Sequence, residues 1–406
     1  MLFSFLLKQT IRDGSLRLTD ARGRERVFGD GSPPRCTVHL HDWRLDYTLV
    51  LNPALRFGEA YMNGRLTIDQ GTLPELMDLL LRNYANLERS RLFAIANVLQ
   101  RQGRKIRQYN PLAKASRNVA HHYDLSKELY ALFLDPDRQY SCAYFESPDD
   151  SLEVAQENKK RHLAAKLLLE PGQKVLDIGC GWGGMAIHLA KCCEVDVTGV
   201  TLSSEQHSVA NERVLEEGLS DRVHILRHDY RQETQTYDRI ISVGMFEHVG
   251  KRNYREFFEA THDLMANDGV FVLHTIGRYD GPAPVNPFIR KYIFPGTDIP
   301  CLSELFPFIE RAGFVLADLE VMRLHYAKTL HEWRKRLMDN WDKVAEIYDE
   351  RFCRMWELYL TSCELGFRHD GIVVYQIQLS KTKDAVPLTR DYIAAWKAAQ
   401  EKNSAL

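Results

Sequence analysis

The stretch KVLDIGCGWGG, residues 174–184, decides how the rest of the chain is interpreted. An apolar run of the kind found in buried strands leads into a glycine-rich turn, and MAIHLAKCC then predicts a helix. Glycine lets the backbone turn tightly and lets a ligand approach the peptide groups. The turn combines one carboxylate with four glycines, namely Asp177, Gly179, Gly181, Gly183 and Gly184. We therefore predict a strand, a ligand-binding loop and a helix in this order.

Strands and helices alternate on the carboxyl side of this loop. The further predicted strands are VDVTGVTLS (195–203), VHILRHD (223–229), DRIISVG (238–244) and GVFVLHTIG (269–277). Helices are predicted in QHSVANERVLEEG and NYREFFEATHDLM, and a polar helix at 151–169 precedes the first strand. Repeated β-α units of this length predict an α/β fold with a parallel, doubly wound, Rossmann-like sheet. Beyond a proline-rich interval at 281–300 the sequence is helix-prone, and QLSKT, after GIVVYQI, is expected to close the sheet as a last hairpin.

Residues 1–85 predict a separate, small α+β N-terminal domain. RCTVHLHDWRLDYTLVLN (35–52) alternates apolar and polar residues as half-buried strands do. LPELMDLLLRN (73–83) has the spacing of an amphipathic helix. The opening MLFSFLLKQT is too short for a signal peptide. The same ten residues favour an ordinary first helix over a weak membrane-surface anchor.

Residues 86–116 predict a basic helical linker. Between residues 86 and 120, Glu88 is opposed by eight cations, namely Arg89, Arg91, Arg101, Arg104, Lys105, Arg107, Lys114 and Arg117. Such a segment is either a solvated interdomain helix or an amphipathic surface for anionic lipid, near which each cation contributes roughly 1 kcal/mol.

The composition of the whole chain excludes several functional classes. A net charge of −2 over 406 residues gives no electrostatic case for a nucleic-acid partner. No apolar run reaches the roughly 18 residues of a membrane-spanning helix. The eight cysteines include no CxxC pair, which argues against a zinc site and against a disulfide scaffold. We therefore expect a cytoplasmic protein without a metal site.

The glycine loop is compatible with two kinds of nucleotide. A dinucleotide fingerprint requires a small residue beyond Gly184, and Ala186 fits that spacing loosely. A sulfonium nucleoside has no pyrophosphate, so its site uses a carboxylate, here Asp177, to face a cationic amino-acid moiety. DIGCGWGG resembles the first motif of the S-adenosylmethionine-dependent methyltransferases, and this resemblance favours S-adenosylmethionine as the cofactor.

Two later strand ends offer further groups for this cofactor. TLSSEQ presents Thr201, Leu202 and Gln206, and the Gln206 amide can hydrogen-bond a ribose diol. HDYR presents Asp229, which can accept from the adenine amine, and Tyr230, which can flank the ring. Alternatively, Asp229 only caps a turn.

Five motifs in sequence order resemble one family. They are RNVAHHYDLSKELYALFLDPDRQYSCAYF (117–145), VLDIGCGWGG, TGVTLSSEQ, SVGMFEHVG and LHTIG. Together they resemble the cyclopropane-fatty-acyl-phospholipid synthases, and the mycobacterial mycolic acid cyclopropane synthases share much of the set. The resemblance implies that residues 117–406 form a class I methyltransferase domain. It also implies that the helical interval 285–345 covers lipid, although its aromatic residues are equally typical of a structural core.

The resemblance implies transfer of a methylene group from S-adenosylmethionine to the cis double bond of an unsaturated acyl chain of a membrane phospholipid. Attack by the alkene leaves a carbocation, and a bound bicarbonate ion then removes the proton whose loss closes the cyclopropane ring. The family holds that anion with residues that correspond here to Cys142, Glu247, His274, Tyr326 and the backbone amide of Ile276. A carbocation beside lipid needs a dry, apolar cage with one small base, which suits the apolar neighbours of Glu247 in GMFEHVG.

Further residues and partners follow from the same resemblance. Tyr123 is expected to cover the cofactor, while Tyr140 and Ser141 approach its methionine end. Cys363, in LTSCELGF, matches a cysteine suspected of catalysis in the family, and His248 either shares the role of Glu247 or braces it. The family also implies a homodimer that associates peripherally with an anionic membrane surface, the cytoplasmic side of the inner membrane.

Two alternative functions stay open at this point. Relatives on the same scaffold quench the cation differently and make methyl-branched, methylene or hydroxylated chains. A lipid-binding protein without catalysis is the other alternative, but it would not need the intact Asp177, Gly179, Gly181 and Glu247.

Overall fold

The structure, a computed structural model, describes residues 2–84, 86 and 126–404. Its contacts divide it into two compact units. Among the described residues, the first unit comprises residues 2–84, 86, 283–295 and 330–371, and the second comprises residues 126–282, 296–329 and 372–404. Tyr123 and the predicted basic linker beyond residue 86 lie outside the described residues.

The described helices and strands have the following bounds. The strands are β1 (Ser15–Thr19), β2 (Glu25–Gly29), β3 (Arg35–Leu40), β4 (Leu66–Gln70), β5 (Lys174–Ile178), β6 (Asp196–Val200), β7 (Val223–Leu226), β8 (Tyr237–Val243), β9 (Met265–Arg278), β10 (Val315–Val321) and β11 (Ile372–Ser380). The α-helices are α1 (Leu2–Thr10), α2 (Leu45–Leu51), α3 (Pro53–Met62), α4 (Leu73–Arg82), α5 (Lys127–Phe133), α6 (Leu152–Leu167), α7 (Gly184–Cys193), α8 (Ser204–Glu216), α9 (Tyr254–Leu264), α10 (Leu302–Arg311), α11 (His325–Asp339), α12 (Trp341–Ile347), α13 (Glu350–His369) and α14 (Asp391–Ser404).

The first unit combines a four-stranded sheet, in the order β2-β1-β3-β4, with surrounding helices. Within this unit α13 packs against α3 and α4. The Tyr61 hydroxyl donates to Glu357 over 2.6 Å, and His369 Nε2 lies 2.7 Å from an Asp78 oxygen. Residues 350–369 therefore group with the N-terminal residues, whereas the sequence assigned them to the methyltransferase domain. The domain boundaries of the sequence analysis stay a prediction.

The strands predicted throughout residues 35–52 are wrong for the second half of that interval. Only Arg35–Leu40 is a strand, and Leu45–Leu51 is α2. The stretch LDYTLVL also satisfies the helical period, because Leu45 and Leu49 are four residues apart and both are buried. The predicted first helix and the helix at 73–83 are confirmed as α1 and α4.

The second unit is built on a seven-stranded sheet in the order β10-β11-β9-β8-β5-β6-β7. Five neighbouring strands run parallel to one another, namely β9, β8, β5, β6 and β7. β11 runs antiparallel to both β9 and β10. β5 is buried at every position after Lys174, as expected for a parallel strand covered by helices on both faces. The predicted α/β, doubly wound sheet is confirmed.

The antiparallel edge of this sheet departs from the prediction. The sequence does not predict β10, because VLADLEV mixes carboxylates with apolar residues and is partly exposed at the edge. The predicted terminal hairpin at QLSKT is instead β11, a strand of nine residues that pairs with two neighbours. β9 begins at Met265, four residues before the predicted start.

The carboxyl ends of the parallel strands β5, β6, β7 and β8 lie along one edge of the sheet, the edge at which open α/β sheets bind ligands. No α-helix in the described part of the chain has both the length and the apolar composition of a membrane-spanning segment.

Candidate active site

A cavity opens at this edge of the second unit, with about 1210 Å³ of empty space when the part open to solvent is included. The predicted cofactor residues that line it are Tyr140, Ser141, Asp177, Gly179, Gly181, Thr201, Leu202, Gln206, Asp229 and Tyr230. Gly183 lies behind the loop, where a Cβ atom would be 3.0 Å from the Ala210 Cβ. With Val243 and Gly244 at the end of β8, the cavity gathers residues from four separate strand ends, while the individual roles of the predicted residues toward a cofactor stay predictions.

The glycine loop closes against the opposite wall of the cavity. Gly179 has φ +83°, and a Cβ atom there would lie 2.7 Å from the Met245 side chain. The amides of Gly179 and Cys180 both donate to the Val200 carbonyl, at 3.0 and 3.1 Å. These bonds tie the loop to the end of β6, and a side chain at position 179 would displace it.

Asp177 is the buried charge at the centre of the loop. It is 1% exposed, and its Oδ2 atom has no hydrogen-bond partner among the described residues. Burial raises the pKa of the Asp177 carboxyl to about 7, although the nearby ammonium of Lys159 partly opposes this. A buried carboxylate with an open oxygen needs a cationic or donor partner. The ammonium group of an amino-acid moiety meets this requirement, so the residues present fit S-adenosylmethionine.

The groups at the later strand ends are partly engaged within the protein. The Thr201 hydroxyl donates to Gln206 Oε1 over 3.0 Å, which leaves the Gln206 amide nitrogen as the donor for a diol. The Asp229 carboxylate accepts from the backbone and guanidinium of Arg231 at 2.8–3.0 Å. Asp229 therefore caps a turn while it also lines the cavity. The Tyr230 ring is held edge-on by Phe257, with centroids 5.4 Å apart.

A buried lysine that the sequence did not single out anchors the loop that carries Tyr140 and Ser141. Lys159 is fully buried on α6, and its ammonium donates to Gln139 Oε1 over 2.6 Å and to Ser141 Oγ over 2.8 Å. Because the Ser141 oxygen accepts from Lys159, its own proton is available to a ligand in the cavity. Burial lowers the pKa of Lys159 to about 8.

Glu247 lies in a short helical turn after β8, and residues on both sides of it line the cavity. It is 4% exposed. One oxygen, Oε1, accepts from the Ile276 amide at 2.6 Å, and the other, Oε2, has no partner among the described residues. Burial raises the pKa of the Glu247 carboxyl to about 7, partly offset by the Ile276 amide, the Glu247 amide and the Thr275 hydroxyl. His248 also lines the cavity, and burial lowers its pKa to about 4, so its ring is neutral.

His274 and Ile276 occupy alternate positions of β9 and therefore lie on one face of the sheet. His274 is 2% exposed, and its Nδ1 atom lies 3.3 Å from Gln376 Nε2. Burial, together with the neighbouring lysines, lowers the pKa of His274 well below its usual value, so the ring is neutral. The Ile276 amide, which donates to Glu247, lies two residues after His274 on the same strand.

Cys142 and Tyr326 are connected through α11. The Ala143 amide donates to the Thr329 hydroxyl over 3.0 Å, and the Phe145 amide donates to His325 Nδ1 over 3.1 Å. Tyr326 lies in the first turn of this helix, between its two attachment points. Burial raises the pKa of the Cys142 thiol well above its usual value, so the group is a neutral thiol, and it donates to the Ala143 carbonyl over 3.4 Å.

Cys363 lies on α13, in the first compact unit, and burial raises the pKa of its thiol to about 12. A thiol with this pKa is a poor nucleophile at neutral pH. Its catalytic role stays a prediction. The aromatic residues of the insertion are partly core, since Phe306 and Phe308 pack against the hydrophobic core of the second unit.

Sequence reasoning missed the polar side chains that support the site, namely Lys159, Lys166, Thr329 and Gln376. The helix at 151–169 was interpreted only as polar, although Gln156, Lys159, His162 and Lys166 fall on one helical face and are all buried. A second signal was available in GIVVYQIQLS, where two glutamines alternate with apolar residues along a strand.

Comparison with known proteins identifies relatives. Residues 111–377 match the family model described as mycolic acid cyclopropane synthetase. The chain is 39% identical over 328 residues to the cyclopropane-fatty-acyl-phospholipid synthase of Escherichia coli (strain K12). The alignment covers 81% of this chain and 83% of that protein. It is 42% identical over 267 residues to a probable fatty acid methyltransferase of Pseudomonas putida, which covers 64% of this chain and 68% of that protein. The crystal structure of mycolic acid cyclopropane synthase CmaA1 complexed with SAH and CTAB is similar, with a TM-score of 0.63 and 34% identity, and covers 67% of this chain and 99% of that chain.

Proposed function

The chain belongs to the mycolic acid cyclopropane synthetase family of S-adenosylmethionine-dependent methyltransferases, and from this premise we propose its reaction. An unsaturated acyl chain of a membrane phospholipid takes the methyl group of S-adenosylmethionine at one carbon of its cis double bond. The other carbon becomes a carbocation, and loss of one proton from the new methyl group closes a cyclopropane ring.

The observation that carries this proposal is the state of Glu247. A carboxyl group is buried to 4% exposure beside the cofactor cavity, with one oxygen bound and the other without a partner among the described residues. An open acceptor in an apolar surrounding suits a reaction that needs a small base and excludes water. An amine-directed methyltransferase also needs a proton acceptor, because the methylated amine loses a proton, but it forms no carbocation that must be kept from water.

The residues around Glu247 fit a bicarbonate ion as that base, with one difference from the expectation. Glu247 Oε2 can accept from the hydroxyl of the ion, and neutral His274 can donate to another of its oxygens. The Cys142 thiol donates to the Ala143 carbonyl in this structure and would turn from it to donate to the ion. The Ile276 amide, expected to donate to the anion, donates to Glu247 instead. In our proposal that amide orients the carboxylate, and bicarbonate supplies the proton acceptor when it is bound.

The chain's own groups then have separate tasks toward the cofactor, which supplies the electrophilic methyl group when bound. Asp177 pairs with the ammonium of the methionine moiety, and the Ser141 hydroxyl donates to its carboxylate. Gln206 donates to the ribose diol. Lys159 holds Ser141 in place through the 2.8 Å hydrogen bond between them.

Mass spectrometry of phospholipids from cells that express the protein tests the reaction. We expect acyl chains heavier by one CH₂ group that have lost the reactivity of an alkene. Chains that gain the same mass but keep an alkene, or that gain a hydroxyl group, would indicate one of the related acyl-chain methylation reactions instead.

We further propose that the protein acts from the cytoplasm as a homodimer on an anionic membrane surface, with the basic segment at 86–116 as one contact. Neutralising Arg101, Arg104, Lys105 and Arg107 together should weaken binding to anionic vesicles, and the loss should be larger at low salt because exposed charges are then less screened. Vesicle sedimentation measures this, with neutral phosphatidylcholine vesicles as the control. Unchanged affinity would reduce the segment to a linker.

A further inference from the structure

His274 faces Gln376 across two paired strands. In the antiparallel register of β9 and β11 the two residues stand directly opposite each other, so their side chains lie on the same face of the sheet. Gln376 Nε2 lies 3.3 Å from His274 Nδ1. Gln376 is completely buried, so water does not compete for this contact.

Lys166 determines which end of the Gln376 amide faces His274. The Lys166 ammonium, also completely buried, lies 2.8 Å from Gln376 Oε1 and 2.6 Å from a Glu320 oxygen. An ammonium group has donors only, so the amide oxygen must face it and the amide nitrogen must face the imidazole. Gln378, two residues further along β11, donates to the Lys166 carbonyl over 2.6 Å and fixes this part of α6 on the strand.

The orientation of the amide in turn determines the tautomer of His274. An amide nitrogen can only donate, so His274 Nδ1 must present a lone pair, and the single proton of the neutral ring must reside on Nε2. Burial favours the neutral ring most strongly. Among the titratable groups that face it, Lys159, Lys166 and His162 on α6 lower its pKa further, and Glu320 on β10 opposes them.

We propose that Lys166 and Gln376 are positioning residues that hold His274 as an Nε2–H donor toward the anion of the active site. The identity of the anion rests on the proposed function. The tautomer does not, because it follows from the Lys166–Gln376–His274 contacts alone. An Nδ1–H tautomer would turn a lone pair toward the anion instead of a proton and would weaken its binding.

The tautomer is measured directly by ¹⁵N NMR of histidine-labelled, ligand-free protein. We expect the His274 Nδ1 signal at the position of an unprotonated nitrogen and Nε2 at that of an N–H, with the pair identified by its loss in His274→Asn. An Nδ1–H signal in the wild-type protein would overturn the proposal. Failure to find a lipid product would instead count against the proposed function and leave this measurement intact.

Gln376→Glu is the sharper variant, because it keeps the shape of the side chain and its acceptor for Lys166. A carboxylate oxygen then faces Nδ1 and requires a proton there, so the neutral ring loses its Nε2 proton. The carboxylate also raises the pKa of His274, and the imidazolium formed at lower pH again donates from Nε2. We expect a loss of at least tenfold in kcat near pH 8 that diminishes as the pH falls, with Nδ1–H visible by NMR.

Two comparisons separate this effect from general damage. Gln235→Glu introduces the same charge at an exposed loop position and should leave the pH profile unchanged. Lys166→Met releases the amide, and we expect a mixture of both His274 tautomers. A Gln376→Glu protein that binds S-adenosylmethionine normally and loses activity equally at all pH values would show that Gln376 acts only in packing.

Discussion

Glu247 keeps one hydrogen-bond acceptor open although it is buried, and this oxygen is the group to test first. In Glu247→Gln the side-chain oxygen can still accept from the Ile276 amide, but a donor replaces the open acceptor. We expect kcat to fall by roughly 100-fold or more, because the ion that Glu247 holds is the proposed base and a positioned base usually contributes this much, with S-adenosylmethionine affinity unchanged. Steady-state kinetics and calorimetry measure the two effects. Glu259→Gln, at an exposed ion pair on α9, is the matched control, and near-normal turnover of Glu247→Gln would contradict the assignment.

Asp177 is expected to act on binding and not on turnover alone. Asp177→Asn removes the charge that faces the cationic moiety, and hydrogen bonds to charged groups contribute roughly 1.5–3 kcal/mol. We therefore expect S-adenosylmethionine affinity to fall by roughly 10- to 100-fold. Titration calorimetry measures it, with the exposed Asp263→Asn as control. An unchanged affinity would mean that the cofactor's ammonium is bound elsewhere.

At the scale of a single element, the helix α6 supports the site through two buried lysines. Its buried Lys159 holds Gln139 and Ser141, and its buried Lys166 holds Gln376. A charged group is retained in this position because it satisfies several acceptors at once, and a carboxylate, Asp177, lies close enough to interact with Lys159.

Lys159→Met keeps the length of the side chain but removes the donor. Gln139 and Ser141 then lose a shared buried partner, which costs roughly 1–3 kcal/mol for each unsatisfied group. We expect a lower melting temperature and roughly tenfold weaker S-adenosylmethionine binding, because the loop that carries Tyr140 and Ser141 is no longer fixed. Lys191→Met, at an exposed ion pair on α7, is the control. A protein with wild-type affinity would show that the loop is held without Lys159.

The elements of the second unit differ in how far the sequence determines them. β5 and the glycine loop could be predicted, because a continuous apolar run followed by glycines has few other solutions. The helix at 151–169 was also predicted, but its buried face was not, because lysines on a helix are normally solvated. The partners that allow Lys159 and Lys166 to be buried lie 18 and 210 residues away in the chain, at Ser141 and Gln376, and no local pattern indicates such a pairing.

Over the whole molecule, the buried titratable groups affect stability in two directions. Burial raises the pKa values of Asp177 and Glu247 to about 7, so the folded chain keeps two protons that the unfolded chain loses above its ordinary carboxyl pKa. These two groups therefore reduce stability as the pH rises to about 7. His162 and His248, whose pKa values burial lowers to about 4, are neutral in the folded chain and take up protons on unfolding below about pH 6.5. As the pH rises to about 6.5, these two histidines therefore increase stability. The two effects partly cancel, because the carboxyls reduce stability over part of the same range.

The variant Asp177→Asn isolates the contribution of Asp177 to the pH dependence of stability, because asparagine does not titrate. The shift of the Asp177 pKa from 3.8 to about 7 corresponds to roughly 4 kcal/mol of stability, present below pH 4 and lost by pH 7. The stability of ligand-free Asp177→Asn relative to wild type should therefore increase from pH 4 to 7 and then stay constant. Denaturant unfolding across this range measures the difference. Saturating S-adenosylmethionine should reduce it, since the bound cation stabilises the ionised carboxylate of the wild type and binds the variant less tightly. A difference that does not depend on pH would show that Asp177 is already ionised in the ligand-free fold, in which case another group of this chain must balance its charge.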